Sequence, residues 1–339
     1  MKITLGLLFI LSLQGCVSSM DEQIDKDLGL GFNNVCLGRY QMDLIDTMKM
    51  SSVMYGNGDI SLYWRDPEEG EKGMFSGDAR YQNWLDYVHR KKGNDEFFHV
   101  NSTEGVSIIV GYSFFHDEFN SGRKNHFLNG YFYKDFPKVK KSLGFDVNGG
   151  DSYGVYPVKD VNYKKKYYLY LKEISIYPKS LIYLLWPHSQ LGVCLTPEFT
   201  LNVAKAGGET HYRTVYWNGK NDRFQMTARV MESREQLNKK RGMAQKLFGL
   251  FASKNLDLAG RDGQLFLSDA RYAEDGLEFR WVTTDAKIGS TARPYIELEG
   301  TVDMANYPKL KQVGMDARDI IVIMLKTFRV RENGLIGTS

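Results

Sequence analysis

Apolar and polar residues alternate along much of this chain. In DISLYW (59–64), Ile60, Leu62 and Trp64 share one side; in RFQMTARVM (223–231), Phe224, Met226, Ala228 and Val230 do the same. A period of two marks a half-buried strand. VCLGRYQMDL (35–44), EGVSIIVGYSFF (104–115), HFLNGYFYKDF (126–136), VCLTPEFTLN (193–202) and HYRTVYW (211–217) read the same way. GQLFLSDARY, GLEFRWVTTD and RPYIELEG, between 263 and 300, read as a meander. Helical spacing is rarer. Over 78–93, Tyr81, Trp84, Leu85 and Val88 line one face, and Gly93 follows a basic last turn that suits the helix dipole. A shorter helix is expected over 163–174, with SIYPKS (175–180) breaking out of it. SREQ (233–236) has capping-box form and precedes a helix carrying Leu237, Ala244, Leu247 and Phe251. A last helix over about 316–328 gathers Ile320, Ile321, Met324, Leu325 and Phe328.

The pattern runs through the chain twice. Val-Cys-Leu opens a strand at Cys36 and again at Cys194, 158 residues later. LKEISIY (171–177) and LKTFRVR (325–331) close the two halves, 154 residues apart. Paired markers in the same order at nearly one offset point to an internal duplication. The expected fold is α+β: two similar domains, 33–187 and 188–339, each a mainly antiparallel sheet with packed helices.

The start of the chain follows a different logic. Lys2 precedes an apolar run from Ile3 to Leu13, too short to span a bilayer. Leu13-Gln14-Gly15-Cys16 then resembles the lipobox of bacterial lipoproteins. That resemblance implies a signal peptide over 1–15, lipidation of Cys16, and a polar tether over 16–32. Each buried acyl methylene adds about 0.8 kcal/mol of membrane affinity. Val17 rather than Asp after the cysteine suggests delivery to the outer membrane, facing the periplasm. Met20 offers an alternative start that would give an unanchored cytosolic form. The formal net charge of +3 shows no basic stripe, so no nucleic acid is expected; NYKKKYY (162–168) reads as a solvated helix start.

Candidate chemistry is sparse. Gly150-Asp151-Ser152-Tyr153-Gly154 satisfies the nucleophile-elbow pattern G-x-S-x-G. An elbow needs a strand before the serine and a helix after it. LGFDV can be the strand, but Pro157 stands where the helix is needed, so a glycine-rich turn is the better reading. The six histidines are scattered, and HDEF (116–119) reads as a surface turn rather than a ligand set. No metal, cofactor or catalytic residue is assigned. Asp66, Glu68, Glu69 and Glu71 form an acidic loop that could steer a basic protein partner.

Taken together, VCLGRYQMDL, the Cys194 head, DLAGRDGQLFL, LEFRWVTT, RPYIELEG and the final helix to FRVRENG resemble, in that order, the immunity lipoproteins that protect bacteria against type VI secretion lipase effectors, the Tli family. VCLTPEF departs from the pattern, with Thr-Pro where a glycine-rich turn is expected. The resemblance implies a non-enzymatic protein that binds a cognate phospholipase in the periplasm and keeps it from lipid, with two domains gripping the enzyme. Two other readings stay open: an envelope esterase using Ser152, and a structural or assembly lipoprotein. The two V-C-L heads also keep two readings. Equivalent cysteines of duplicated domains can meet at a two-fold axis, and export permits a Cys36–Cys194 disulfide. Alternatively, each is a buried thiol in its own domain.

Overall fold

The computed structural model describes residues 30–57, 60–65, 82–83, 85–86, 97–103, 106–116, 124–149, 171–172, 174–187, 192–202, 209–218, 220–248, 253–332 and 334. The first half opens with the hairpin β1 (Phe32–Leu37) and β2 (Tyr40–Ile45). A second hairpin follows, β3 (Lys49–Asn57) and β4 (Ile60–Arg65), then a meander of β5 (Phe97–Thr103), β6 (Val106–His116), β7 (Lys124–Phe136) and β8 (Lys141–Gly149). Helix α1 (Ile176–Ser180) and strand β9 (Leu181–Tyr183) close it. The second half runs β10 (Val193–Thr196), β11 (Phe199–Leu201), β12 (Glu209–Trp217), β13 (Arg223–Arg229) and α2 (Arg234–Phe248). It continues through β14 (Lys254–Asn255), β15 (Gly263–Asp269), β16 (Gly276–Thr283) and β17 (Tyr295–Asp303), and ends with α3 (Pro308–Gln312), α4 (Ala317–Lys326) and β18 (Arg329–Val330).

Twelve strands form one antiparallel sheet, and β3 pairs with β12 at its middle, Val53 opposite Thr214. Outward from that seam the first half reads β3, β4, β8, β7, β6, β5 and the second β12, β13, β17, β16, β15, β14. The two orders correspond strand for strand in chain sequence. The small sheets cross over between halves. The first hairpin, β1–β2, takes β18 from the end of the second half; the second hairpin, β10–β11, takes β9 from the end of the first. The division expected at 187/188 falls between β9 and β10, while the large sheet runs across it.

The alternation places the core. Tyr212, Thr214 and Tyr216 of β12 point inward, as do Phe224, Met226 and Ala228 of β13 and Ile60 and Leu62 of β4. On this face they form one apolar cluster with Leu37, Met42 and Leu44 of the first hairpin, Val193 and Leu195 of β10, and Ile320, Ile321, Met324 and Leu325 of α4. Each such aliphatic or aromatic side chain, taken fully out of water, contributes ~1.5–3 kcal/mol. Helix α4 is fixed at its start by a capping box: Asp316 accepts from the Arg318 and Asp319 amides, and Asp319 accepts from the Asp316 amide. The opposite face carries α2, whose Leu237 packs with Phe266, Val282 and Tyr295.

Local readings fare unevenly. In SREQ, the Gln236 amide donates to the Ser233 hydroxyl, but the return bond to Gln236 comes from the Glu232 amide, one residue early. SIYPKS does leave the helix that holds residues 171, 172 and 174, with a turn at Ser175, but it coils again at once, since Ile176–Ser180 is itself a short helix. Pro178 lies in its first turn, where a missing amide costs no intrahelical bond. VCLTPEF does form a hairpin, turning at Pro197-Glu198, with a register shift between Cys194 and Thr196. Proline's fixed φ suits the first turn position, so this head dispenses with the glycine that the first one uses. There, Gly38 at φ +66 makes the turn, and a Cβ on it would stand 3.0 Å from the Tyr212 ring.

Candidate functional site

Where the halves meet, both heads and both tails come together. Cys36 and Cys194 are joined in a disulfide, their Cα atoms 6.1 Å apart and both side chains 1% exposed. The Cys194 amide donates to the Gly38 carbonyl at 3.1 Å, so the two hairpins also touch through backbone. The Tyr216 hydroxyl donates to the Cys36 carbonyl at 3.2 Å. Trp186, just past β9, donates its indole N–H to Asn34 of β1.

Two arginines tie the ends of the chain into this junction. Arg331 is 1% exposed; its guanidinium donates to the Gly192 carbonyl and lies 5.9 Å from the Trp186 ring centre. Its amide donates to the Arg39 carbonyl at 3.1 Å, and the Arg39 guanidinium donates to the Gly334 carbonyl at 2.8 Å. Burial, and then the neighbouring Arg39, pull the Arg331 pKa down to about 10, so it stays charged at neutral pH. Sequence reading passes over both residues. They lie inside GRY and FRVR, where the strand pattern alone makes them solvent-facing.

The outer face of the central strands is different in character. His211, Arg213 and Val215 point outward from β12 and are half-buried, and Trp217 is exposed. Arg213 donates to Gln225 at 2.6 Å, and Gln225 donates on to Glu299. At one end of these strands a shallow cleft, open to solvent, is lined by Arg39, His211, Ala228, Arg229, Val230 and Pro294 among others. His211 and Arg229 stand directly opposite across the β12–β13 ladder. Burial, then Arg229, Arg213 and Lys240, lower the His211 pKa to about 4, so its imidazole is neutral at pH 7. Its Nδ1 is buried and has no hydrogen-bond partner.

Cys16, the loop Asp66, Glu68, Glu69 and Glu71, Ser152, and the NYKKKYY segment lie outside the described residues. His116 ends β6, and Asp117, Glu118 and Phe119 beyond it are outside as well. Of the helix expected at 78–93, residues 82–83 and 85–86 are described, and they are helical. Among the described residues no group of three His, Cys, Asp or Glu side chains could hold a metal ion, and no helix is long and apolar enough to cross a membrane. What the described residues offer is a junction pinned by a disulfide and a shallow cleft with arginines in its wall.

No protein-family model matches the chain, and no curated protein matches it. Solved structures do. The Tle4–Tli4 complex contains a chain 16% identical, with a TM-score of 0.53; the match covers 89% of this chain and 98% of that one. The immunity protein TplEi of the type VI secretion system from Pseudomonas aeruginosa matches in two structures. Complexed with an "L" peptide it is 16% identical over 89% of this chain and 99% of its own; the apo form is 15% identical over 89% and 98%; both have a TM-score of 0.53. These matches span nearly the full length of each neighbour, both halves included. The chain has the fold of Tli4 and of the type VI secretion immunity protein TplEi.

Proposed function

We propose that this protein is an immunity protein that binds a type VI secretion phospholipase effector in the periplasm and blocks its access to lipid. The observation that carries the reading is the fold shared over 89% of the chain with Tli4, solved together with Tle4, and with TplEi. A protein of this kind works by occupancy, so it needs tight binding. Nanomolar affinity corresponds to about −12 kcal/mol. The pinned junction favours such affinity, because two halves held in one geometry lose little freedom on binding. Lipidation at Cys16 would hold the protein on the outer membrane, where an incoming lipase must act. The matching strand orders of the two halves support descent from one duplicated unit. The test is inhibition: purified protein mixed with the lipase effector encoded beside its gene, with phospholipid hydrolysis measured. Complete inhibition near one equivalent is expected, and undiminished hydrolysis would sink the reading.

A further inference from the structure

The end of the large sheet at which β12 finishes is also the end where residues 30–31, on the Cys16 side of the chain, enter β1. The Gly31 carbonyl accepts from the Asp46 amide at 2.8 Å in the turn between β2 and β3, and Lys49, which opens β3, stands opposite Trp217, which ends β12. The elements at this end are locked together. Tyr307 bonds to Thr47 of that turn and donates to Asp222 in the turn between β12 and β13. The Met304 amide donates to the Asp275 carbonyl, and Lys311 of α3 pairs with the Asp275 carboxylate at 2.7 Å, so the turn between β15 and β16 is fixed to the same end. Apolar surface is left bare here. Among the described residues Trp217 and Tyr272 are the only aromatic side chains left exposed, at 50% and 89%, and Val313, two residues past Lys311, is 57% exposed. Both rings are carried on fixed turns. The Trp217 indole donates to the Lys220 carbonyl across its own turn. Ala273, next to Tyr272, is buried, and the Gly276 amide closes that turn onto the Ala273 carbonyl at 3.1 Å.

We propose that this end rests on the phospholipid surface to which acylated Cys16 anchors the chain, with Trp217 and Tyr272 seated among the headgroups. The inference rests on the lipidation of Cys16 and not on which effector binds. Trp and Tyr suit that depth, since each has an apolar body and a polar tip. The length of chain agrees. Cys16 lies 14 residues before Leu30, a reach of at most about 50 Å. The opposite end of the nine-residue strand β12 stands about 30 Å further away. A link this short gives an effective concentration on the order of millimolar, so contacts too weak to hold free protein suffice. Charge plays the smaller part. Lys49, Lys220 and Lys309 are exposed at this end, but so are Asp46, Asp269 and Glu274. A surface this close to balance is read by its rings, so the contact should form on zwitterionic lipid and survive salt. Resting on this end turns the opposite one, with Ile288, away from the bilayer.

The test uses the mature protein extracted from membranes, its acylation confirmed by mass, and reconstituted in phosphatidylcholine vesicles in which some headgroups carry a nitroxide. Tryptophan emission is read. Wild type is expected to lose a larger share of its emission to the nitroxide than Trp217→Phe does, at low and at high salt. Tyr272→Asp should cut that quenching difference severalfold, and Ile288→Asp, beyond the far end of β16, should leave it unchanged. Urea midpoints matching wild type show that these exposed-site variants stay folded. Equal quenching in wild type and Trp217→Phe, equal losses in the two aspartate variants, or a signal abolished by salt overturns the proposed face and leaves the lipidation reading intact. If unquenched Trp217 is accompanied by weaker effector binding in Trp217→Phe, the end belongs to the partner protein instead. A mature chain that carries no acyl groups overturns the proposal together with the lipidation reading.

Discussion

Replacing both Cys36 and Cys194 with alanine removes the one covalent tie between the halves other than the chain itself. In the folded protein little else changes, because both positions are 1% exposed and the Cys194 amide keeps its bond to Gly38. The consequence lies in the unfolded chain. The bridge closes a loop of 158 residues, and the chain-entropy treatment puts the freedom it withholds from the unfolded state at about 5 kcal/mol. Lost packing around two sulfur atoms adds about 1 kcal/mol. Set against a typical stability of about 5–15 kcal/mol, that is a large share of the total. The assay is urea unfolding in a Cys16→Ser background, which leaves only Cys36 and Cys194 as cysteines. The alanine pair is expected to unfold at much lower urea, by about 4–6 kcal/mol. Reductant should shift the parent the same way and leave the variant unmoved. Two results would refute the reasoning: a variant within about 1 kcal/mol of the oxidised parent, or two reactive thiols in denatured, unreduced parent protein.

Other outcomes follow from single side chains. Between pH 6.5 and about 4, folded His211 binds fewer protons than the unfolded chain does, so its contribution to stability falls as the pH drops. From pH 7.5 to 5 that amounts to about 2 kcal/mol, and His211→Gln should lose this much less stability over the same interval in paired urea titrations. Asp222 and Glu297, raised chiefly by burial, act with the opposite sign and cancel in the comparison. Asp222→Asn should cost about 2 kcal/mol in thermal or urea unfolding, because one carboxylate oxygen accepts from Asn218, Asn306 and Tyr307 and the other from the Asp303 amide, and an amide side chain keeps only one of these two acceptors. Gly263→Ala would place its Cβ 2.3 Å from the buried Trp281 indole; a loss of about 1–3 kcal/mol is expected, and an unchanged melting curve would contradict that packing. Ser152→Ala should protect against the lipase as well as wild type does, in a survival or hydrolysis assay; lost protection would revive the esterase reading.

The strands that were legible in the sequence are those with one wet face. DISLYW and RFQMTARVM alternate, and their apolar sets do face the core. The paired V-C-L heads, read as the first strands of two similar halves, are the hairpins β1–β2 and β10–β11. The tails were harder. LKTFRVR shortens to a two-residue strand at Arg329–Val330, placed by pairing with β2 of the other half, whereas LKEISIY runs into α1 and the strand that joins the second half's hairpin, β9, comes only after it. No local periodicity announces such a crossover. The buried guanidinium of Arg331 was illegible for the same reason. Its partners, Gly192 and Trp186, lie more than a hundred residues away, and only the folded chain shows that a carbonyl and a ring await it. His211 and Arg229 look like ordinary strand polars until the β12–β13 register sets them side by side at a cleft.

The central claim concerns binding, and one titration tests it most directly. Purified protein is added stepwise to the lipase effector encoded beside its gene, acting on phospholipid vesicles. The account predicts that hydrolysis falls linearly to zero near one equivalent, with nanomolar affinity. Full hydrolysis at a large molar excess of the protein would contradict it.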